Sequence, residues 1–194
     1  MKRAIFILTL GLCLLLSDGA HAQRALPAMR GLEIRGGMTD GFYTRDSRSE
    51  TGYCFGLAMS RYAKNADKWV FGAEFLNRYY PYKSERIPVA QFTAEGGYYY
   101  KFLADPSRTF FFYLGGSALA GYESVNRGER RLYDGSTLRH RDRFLYGGAV
   151  TLEVDAYLTD RIILSLTGRE RILWGTTTGH FHAQFGLGVK FIIH

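Results

Sequence analysis

The chain has 194 residues, 46% apolar and 15% aromatic, with 23 Gly against 4 Pro and a formal charge of +7. This excludes a disordered or collagen-like chain and predicts one domain large enough to enclose a core. The surplus lies in Gly and in 14 Tyr and 14 Phe, which favours sheet over helix, and the two cysteines, Cys13 and Cys54, cannot build a disulfide framework or a multi-cysteine metal site.

Lys2 and Arg3 precede an apolar run from Ala4 to Leu16, and Ala20, His21 and Ala22 follow it. This pattern predicts a secretory signal peptide cleaved after Ala22, leaving Cys54 as the lone thiol. The run is about a dozen residues, short of the roughly 20 that cross a bilayer as a helix. Leu12, directly before Cys13, does not suit a lipid-anchor site. Residues 23–30 are expected as a short periplasmic segment and 31–194 as the folded domain. No later stretch is long and apolar enough for a spanning helix, so membrane entry would require a closed barrel, which leaves no backbone group unpaired in lipid.

From Leu32 onward the period is two, the spacing of strands, and eight strands are predicted. The first, over residues 32–43, sets Leu32, Ile34 and Met38 against Glu33, Arg35 and Gly37. The second alternates Tyr53, Phe55, Leu57 and Met59 with Cys54, Gly56 and Ala58, and the third places Trp69, Phe71 and Phe75 opposite Gly72 and Glu74. In the fourth, Phe92, Ala94, Tyr98, Tyr100 and Phe102 alternate with Thr93, Glu95, Gly97, Tyr99 and Lys101. The fifth sets Phe110, Phe112, Leu114 and Tyr122 against Tyr113, Gly115, Ser117 and Glu123, and the sixth sets Phe144, Tyr146, Val150 and Leu152 against Gly147, Thr151, Glu153 and Asp155. The seventh opposes Ile162, Leu164 and Leu166 to Ser165, Thr167, Arg169 and Arg171. The eighth opposes Phe181, Phe185, Leu187, Val189 and Phe191 to His182, Gln184, Gly188 and Lys190.

A soluble eight-stranded barrel keeps its apolar face inside, whereas here the apolar faces are long, aromatic and almost uncharged and the opposite faces are small or ionic. That is the pattern of an antiparallel up-and-down barrel in an outer membrane, and no charge on the lipid face is needed in this register. The connections alternate long and short, with residues 80–87 and 124–142 among the long ones and 103–108 and 159–160 among the short ones. Tyr98, Tyr99, Tyr100, Phe110, Phe111 and Phe112 bunch near one rim and Tyr79, Tyr80, Phe144, Tyr146 and Trp174 near the other, as two aromatic girdles. Glycine doublets at 36–37, 96–97, 115–116 and 147–148 are expected to make bends and room in a narrow bore.

Inward Glu74, Glu95, Glu123, Glu153 and Asp155 are expected to pair with inward Arg35, Lys101, Arg169 and Arg171, which plugs the bore with compensated charge. Competing catalytic readings are weaker: Glu153 with Asp155 as an acid and base, Gly116-Ser117-Ala118 as a nucleophile turn, and His180 with His182 as half of a metal site. No catalytic residue, metal or cofactor is expected. The longest connection is basic through Arg127, Arg130, Arg131, Arg139 and Arg141, which suits lipopolysaccharide phosphates or a protein partner. Nucleic acid would want aromatics interleaved with those cations, so direct nucleic-acid binding is not expected.

The strings RIPVAQFTAEGGYYYKFL, FFYLGGSALAGYE, LYDGSTL, TLEVDAYLTDR, GRERILWG and GHFHAQFGLGVKFII, in this order after a signal peptide, resemble the conjugative-transposon TraO family. The likeness covers nearly the whole chain after residue 22. It implies a non-enzymatic envelope component of a conjugal DNA-transfer apparatus, docking other envelope proteins of that apparatus, with no catalytic residues to carry over. Two alternatives stay open: an adhesin or lipopolysaccharide-binding barrel acting through the arginine-rich loop, and a lipid-modifying enzyme embedded in the membrane.

Overall fold

The computed structural model describes residues 24–39, 52–82, 85–125, 142–176 and 180–193, with the backbone alone at 80–82, 85, 86 and 142. Eight strands follow one another: β1 (Arg30–Thr39), β2 (Gly52–Tyr62), β3 (Lys68–Tyr82), β4 (Glu85–Ala104), β5 (Phe110–Val125), β6 (Asp142–Tyr157), β7 (Ile162–Trp174) and β8 (Phe181–Ile193). Each is antiparallel to its sequence neighbour, and β1 pairs with β8, which closes the barrel. Residues 24–29, Ile193 and the β2–β3, β4–β5 and β6–β7 turns lie at one end of the barrel, the base; the opposite end is the crown.

The outer wall is apolar, as the alternation predicts. Phe92, Leu152 and Phe185 are 59%, 51% and 48% exposed, whereas Thr93, Glu153 and Gln184 beside them are buried. So large a continuous apolar surface fits lipid and not water. Trp69 meets Tyr98 edge-on at 5.0 Å near the base, and Tyr146 stacks on Trp174 at 6.2 Å near the crown.

Three details depart from the sequence expectation. Tyr99 and Phe111 are not girdle residues: their parity turns them inward, where both are buried. The outer wall is not free of carboxylate, since Glu170 lies on it in a hollow between Val150, Leu152, Ala183 and Phe185. Residues 80–87 are not a long connection, because β3 and β4 stay paired out to Tyr82 and Glu85. Among the described residues β2 follows β3 only to Asn77 and β5 follows β4 only to Val89, so there the far part of this hairpin is a two-stranded ribbon. Tyr79, Tyr80, Tyr82 and Ile87 are strong strand formers, and Pro81 and Pro88 are tolerated on the ribbon's edges, where no ladder partner needs their missing N–H.

Of each glycine doublet, the inward member makes the room. A Cβ on Gly115 would lie 2.7 Å from the Tyr99 ring, while one on its outward neighbour Gly116 would meet nothing within 4 Å. The base is closed by a strap at residues 24–29. The Ala28 N–H donates to the Tyr62 carbonyl and the Tyr62 N–H to the Met29 carbonyl, both at 2.9 Å. Ala25 joins Tyr62, Phe111, Tyr113, Tyr157, Ile163 and Ile192 in an apolar floor. Arg24 ties the strap to the turns through Thr109 Oγ1 at 3.2 Å and Asp160 Oδ1 at 3.4 Å, and lies 5.3 Å over the Tyr157 ring.

Candidate functional site

Inward parity places ionic side chains from six strands in two stacked layers. In the lower layer, directly above the floor, Lys68 Nζ donates to Glu153 Oε1 and Asp155 Oδ2, both at 2.7 Å. Lys190 Nζ reaches the same two atoms at 2.9 Å and Glu33 Oε2 at 3.7 Å. Glu33 also accepts from Ser165 Oγ at 2.7 Å, and the Lys68 ammonium sits 3.8 Å over the Tyr113 ring. A Cβ on Gly188 would lie 2.6 Å from Glu33 Oε1, so the glycine there is what admits the carboxylate.

In the upper layer Arg35 hydrogen-bonds Glu95, and Arg169 Nη1 meets Glu95 Oε2 at 2.8 Å. Glu74 is shared by Arg171 at 3.1 Å, Arg35 at 3.6 Å and Arg169 at 3.7 Å, and accepts from Gln184 Nε2 at 2.8 Å. Arg169 is held further by Thr151 Oγ1 and the Tyr99 hydroxyl, each at 3.0 Å.

The lower layer has two cations and three carboxylates, the upper three cations and two carboxylates, so the two together are neutral. Every member is buried, and mutual pairing is what makes ions tolerable there. The cavity left between Arg35, Cys54, Glu74, Thr167, Arg169 and Gln184 is about 20 Å³, room for one water. Among the described residues this bore is a paired core, in which Glu153 and Asp155 are both buried.

Of the residues singled out from the sequence, Arg35, Glu74, Glu95, Arg169 and Arg171 meet in the upper layer, and Glu153 and Asp155 lie in the lower. Glu123 stands apart near the crown, accepting from Gln91 Nε2 at 2.7 Å and Thr176 Oγ1 at 2.8 Å. Lys101 stands apart at the base, lining a cleft at the mouth one residue before the β4–β5 register shift between Lys101 and Leu103. Arg127, Arg130, Arg131, Arg139 and Arg141 lie outside the described residues, as does the segment up to Ala22. Sequence reading missed Glu33, Lys68 and Lys190 as network members, although strand parity puts all three inward. His182 faces Arg78, Nδ1 to Nη2 at 2.9 Å, while His180 Nδ1 lies 2.8 Å from the Leu173 carbonyl; no cluster of three or more His, Cys, Asp or Glu suited to a metal occurs among the described residues.

A closed eight-stranded barrel with a lipid-facing exterior and an ion-paired bore defines a small β-barrel of outer-membrane type. Solved structures share that fold: neisserial surface protein A (NspA), 14% identical over 84% of this chain and 96% of that one with a TM-score of 0.57; and Ail, the attachment invasion locus protein of Yersinia pestis, in complex with the heparin analogue sucrose octasulfate, 9% identical over 87% and 100% with a TM-score of 0.56. No curated protein matches the chain. The model of the family described as conjugative transposon protein TraO matches residues 26–193, and the chain belongs to that family.

Proposed function

We propose that this protein is a non-enzymatic outer-membrane component of the conjugal DNA-transfer apparatus of a conjugative transposon, acting by docking other envelope proteins of that apparatus. The observation that carries the reading is the filled bore: among the described residues the interior is buried ion pairs around a 20 Å³ void, which favours the two rims as working surfaces over passage of DNA or a substrate site inside. Membership of a conjugative-transposon family supplies the process. In this reading export follows cleavage after Ala22, the base faces the periplasm, and the arginine-rich connection between β5 and β6 lies outside the cell near lipopolysaccharide. No cofactor and no direct contact with nucleic acid are involved.

Deleting the gene and restoring it in trans tests the role. Transfer of the element should collapse on deletion and return on complementation; unchanged transfer frequency would refute it. A second reading, a surface-binding barrel, is favoured by the basic character of residues 124–142 and by the polyanion in the Ail complex. It expects neutralisation of Arg130, Arg131, Arg139 and Arg141 to weaken adhesion while leaving transfer intact.

A further inference from the structure

The base carries a feature that the filled bore does not use. Between the strap, the β2–β3 turn and the β4–β5 turn opens a cleft of about 450 Å³, with Phe111 among the residues lining it and Arg24, Lys101 and Arg108 as its cations. A second hollow of about 340 Å³ adjoins it across Pro27 and adds Arg61 and Lys64. Asp105 lines the cleft and Asp67 and Asp160 lie beside it, and all three carboxylates are already engaged. Asp67 accepts from the Tyr98 hydroxyl at 2.9 Å and the Lys101 N–H at 2.8 Å, Asp105 accepts from the Thr109 and Phe110 N–H groups at 2.7 Å, and Asp160 takes Arg24. Among the described residues neither the Lys101 ammonium nor the Arg108 guanidinium has a carboxylate partner, in a molecule that pairs every cation of its two bore layers.

The backbone around this cleft is strained. All of the described non-glycine residues with left-handed φ sit here: Ala25 at 55°, Ala28 at 71°, Asn65 at 62°, Ala66 at 66° and Arg108 at 52°. Conformations of that kind persist where the surrounding structure over-determines them and gather at ligand clamps. The bulge at Phe102 belongs with them, because it breaks the strand period directly after Lys101, which lines the cleft.

We infer that this cleft is a periplasmic docking site for an acidic, extended peptide segment of a partner protein. The inference rests on the docking reading above and gives it a face and a chemistry. Charge complementarity selects the occupant: two unpaired cations in the cleft and two beside it call for carboxylates. The chain's own residues before Arg24 hold a single carboxylate, Asp18, beside the cations Lys2 and Arg3, and no acidic run that would match four cations. Phospholipid headgroups surround the outer wall, whereas the cleft lies inside the rim over Phe111, an inward-facing residue, so its occupant arrives from the periplasm.

The test uses the full chain after signal cleavage, folded into nanodiscs of zwitterionic phosphatidylcholine, with fluorescein-labelled polyglutamate as probe and polyglutamine as control. Saturable, salt-sensitive binding of polyglutamate alone is expected, weakened about tenfold or more when Lys101→Glu and Arg108→Glu are combined. The Lys101→Gln, Arg108→Gln pair gives a milder second variant, and faster migration on a detergent gel before boiling verifies that each barrel is folded. Absence of polyglutamate binding, equal binding by both variants, or Lys101- and Arg108-dependent enrichment of anionic phosphatidylglycerol with the peptide ignored would overturn the inference, the last in favour of a membrane contact. In cells, a deletion that abolishes transfer but is fully rescued by the charge-reversed barrel would sink the cleft and leave the docking reading standing. A deletion without effect would sink the docking reading, and the peptide assay would still decide the cleft.

Discussion

Replacing Glu153 with Gln and Asp155 with Asn together should destabilise the barrel by at least about 3–5 kcal/mol, the cost of stranding a buried charge. Both ammonium groups of the lower layer depend on these carboxylates. Without their charges Lys68 keeps no carboxylate partner and Lys190 only Glu33 at 3.7 Å. Either single change should cost less than the pair, because each leaves one shared carboxylate between the two lysines. Urea titration of the barrel in lipid vesicles, read by the fluorescence of Trp69 and Trp174 on the outer wall, gives the midpoint shift. Adding Lys68→Met and Lys190→Met to the double variant should recover much of the loss, since apolar groups of similar volume can stand in for a buried ion pair. An unchanged midpoint in the carboxylate double variant would show that the layer is not carrying uncompensated charge when broken.

A cation placed on the outer wall should cost an amount that depends on depth. Leu152 sits between the Tyr146 and Trp174 girdle pair and the turn at Leu158, facing outward beside Leu114 and Gly168. Leu152→Arg should lower stability by about 2–4 kcal/mol, whereas Leu158→Arg at the rim should cost about 0–1 kcal/mol. The same urea titration measures both. Equal and small effects would mean that Leu152 does not meet the hydrocarbon core.

Much of this architecture is legible in the alternation of residues. Phe92, Ala94 and Tyr98 against Thr93, Glu95 and Gly97 fix which face of β4 is wet, and the same parity carries through all eight strands. The misses have local causes. Lys68 escapes a reading that starts its strand at Trp69, although the parity of Glu74, carried back through Gly72 and Val70, turns it inward. Tyr99 and Phe111 look like girdle rings because they stand in aromatic triplets, and only alternation within each triplet separates the inward member. Lys101 has inward parity but stands at the base, where it lines the cleft and does not reach the ionic layers, and directly after it the bulge exposes Phe102 and Leu103 in succession and breaks the period. Glu170 is a carboxylate at an outward position, and a pattern of faces does not show the hollow that accommodates it. The pairing of particular cations with particular carboxylates depends on strand stagger around a closed barrel, which no single segment encodes.

Everything rests on a cylinder that is apolar outside and ionic within. Spin labels on single cysteines, placed in a Cys54→Ser background and reconstituted in bilayers, report this directly through their accessibility to oxygen and to a water-soluble nickel chelate. Labels at 92, 152 and 185 should be relaxed strongly by oxygen and hardly by nickel, while labels at 95 and 153 should be shielded from both. Nickel access at 92, 152 and 185, or oxygen access confined to 95 and 153, would mean that the wall faces the other way.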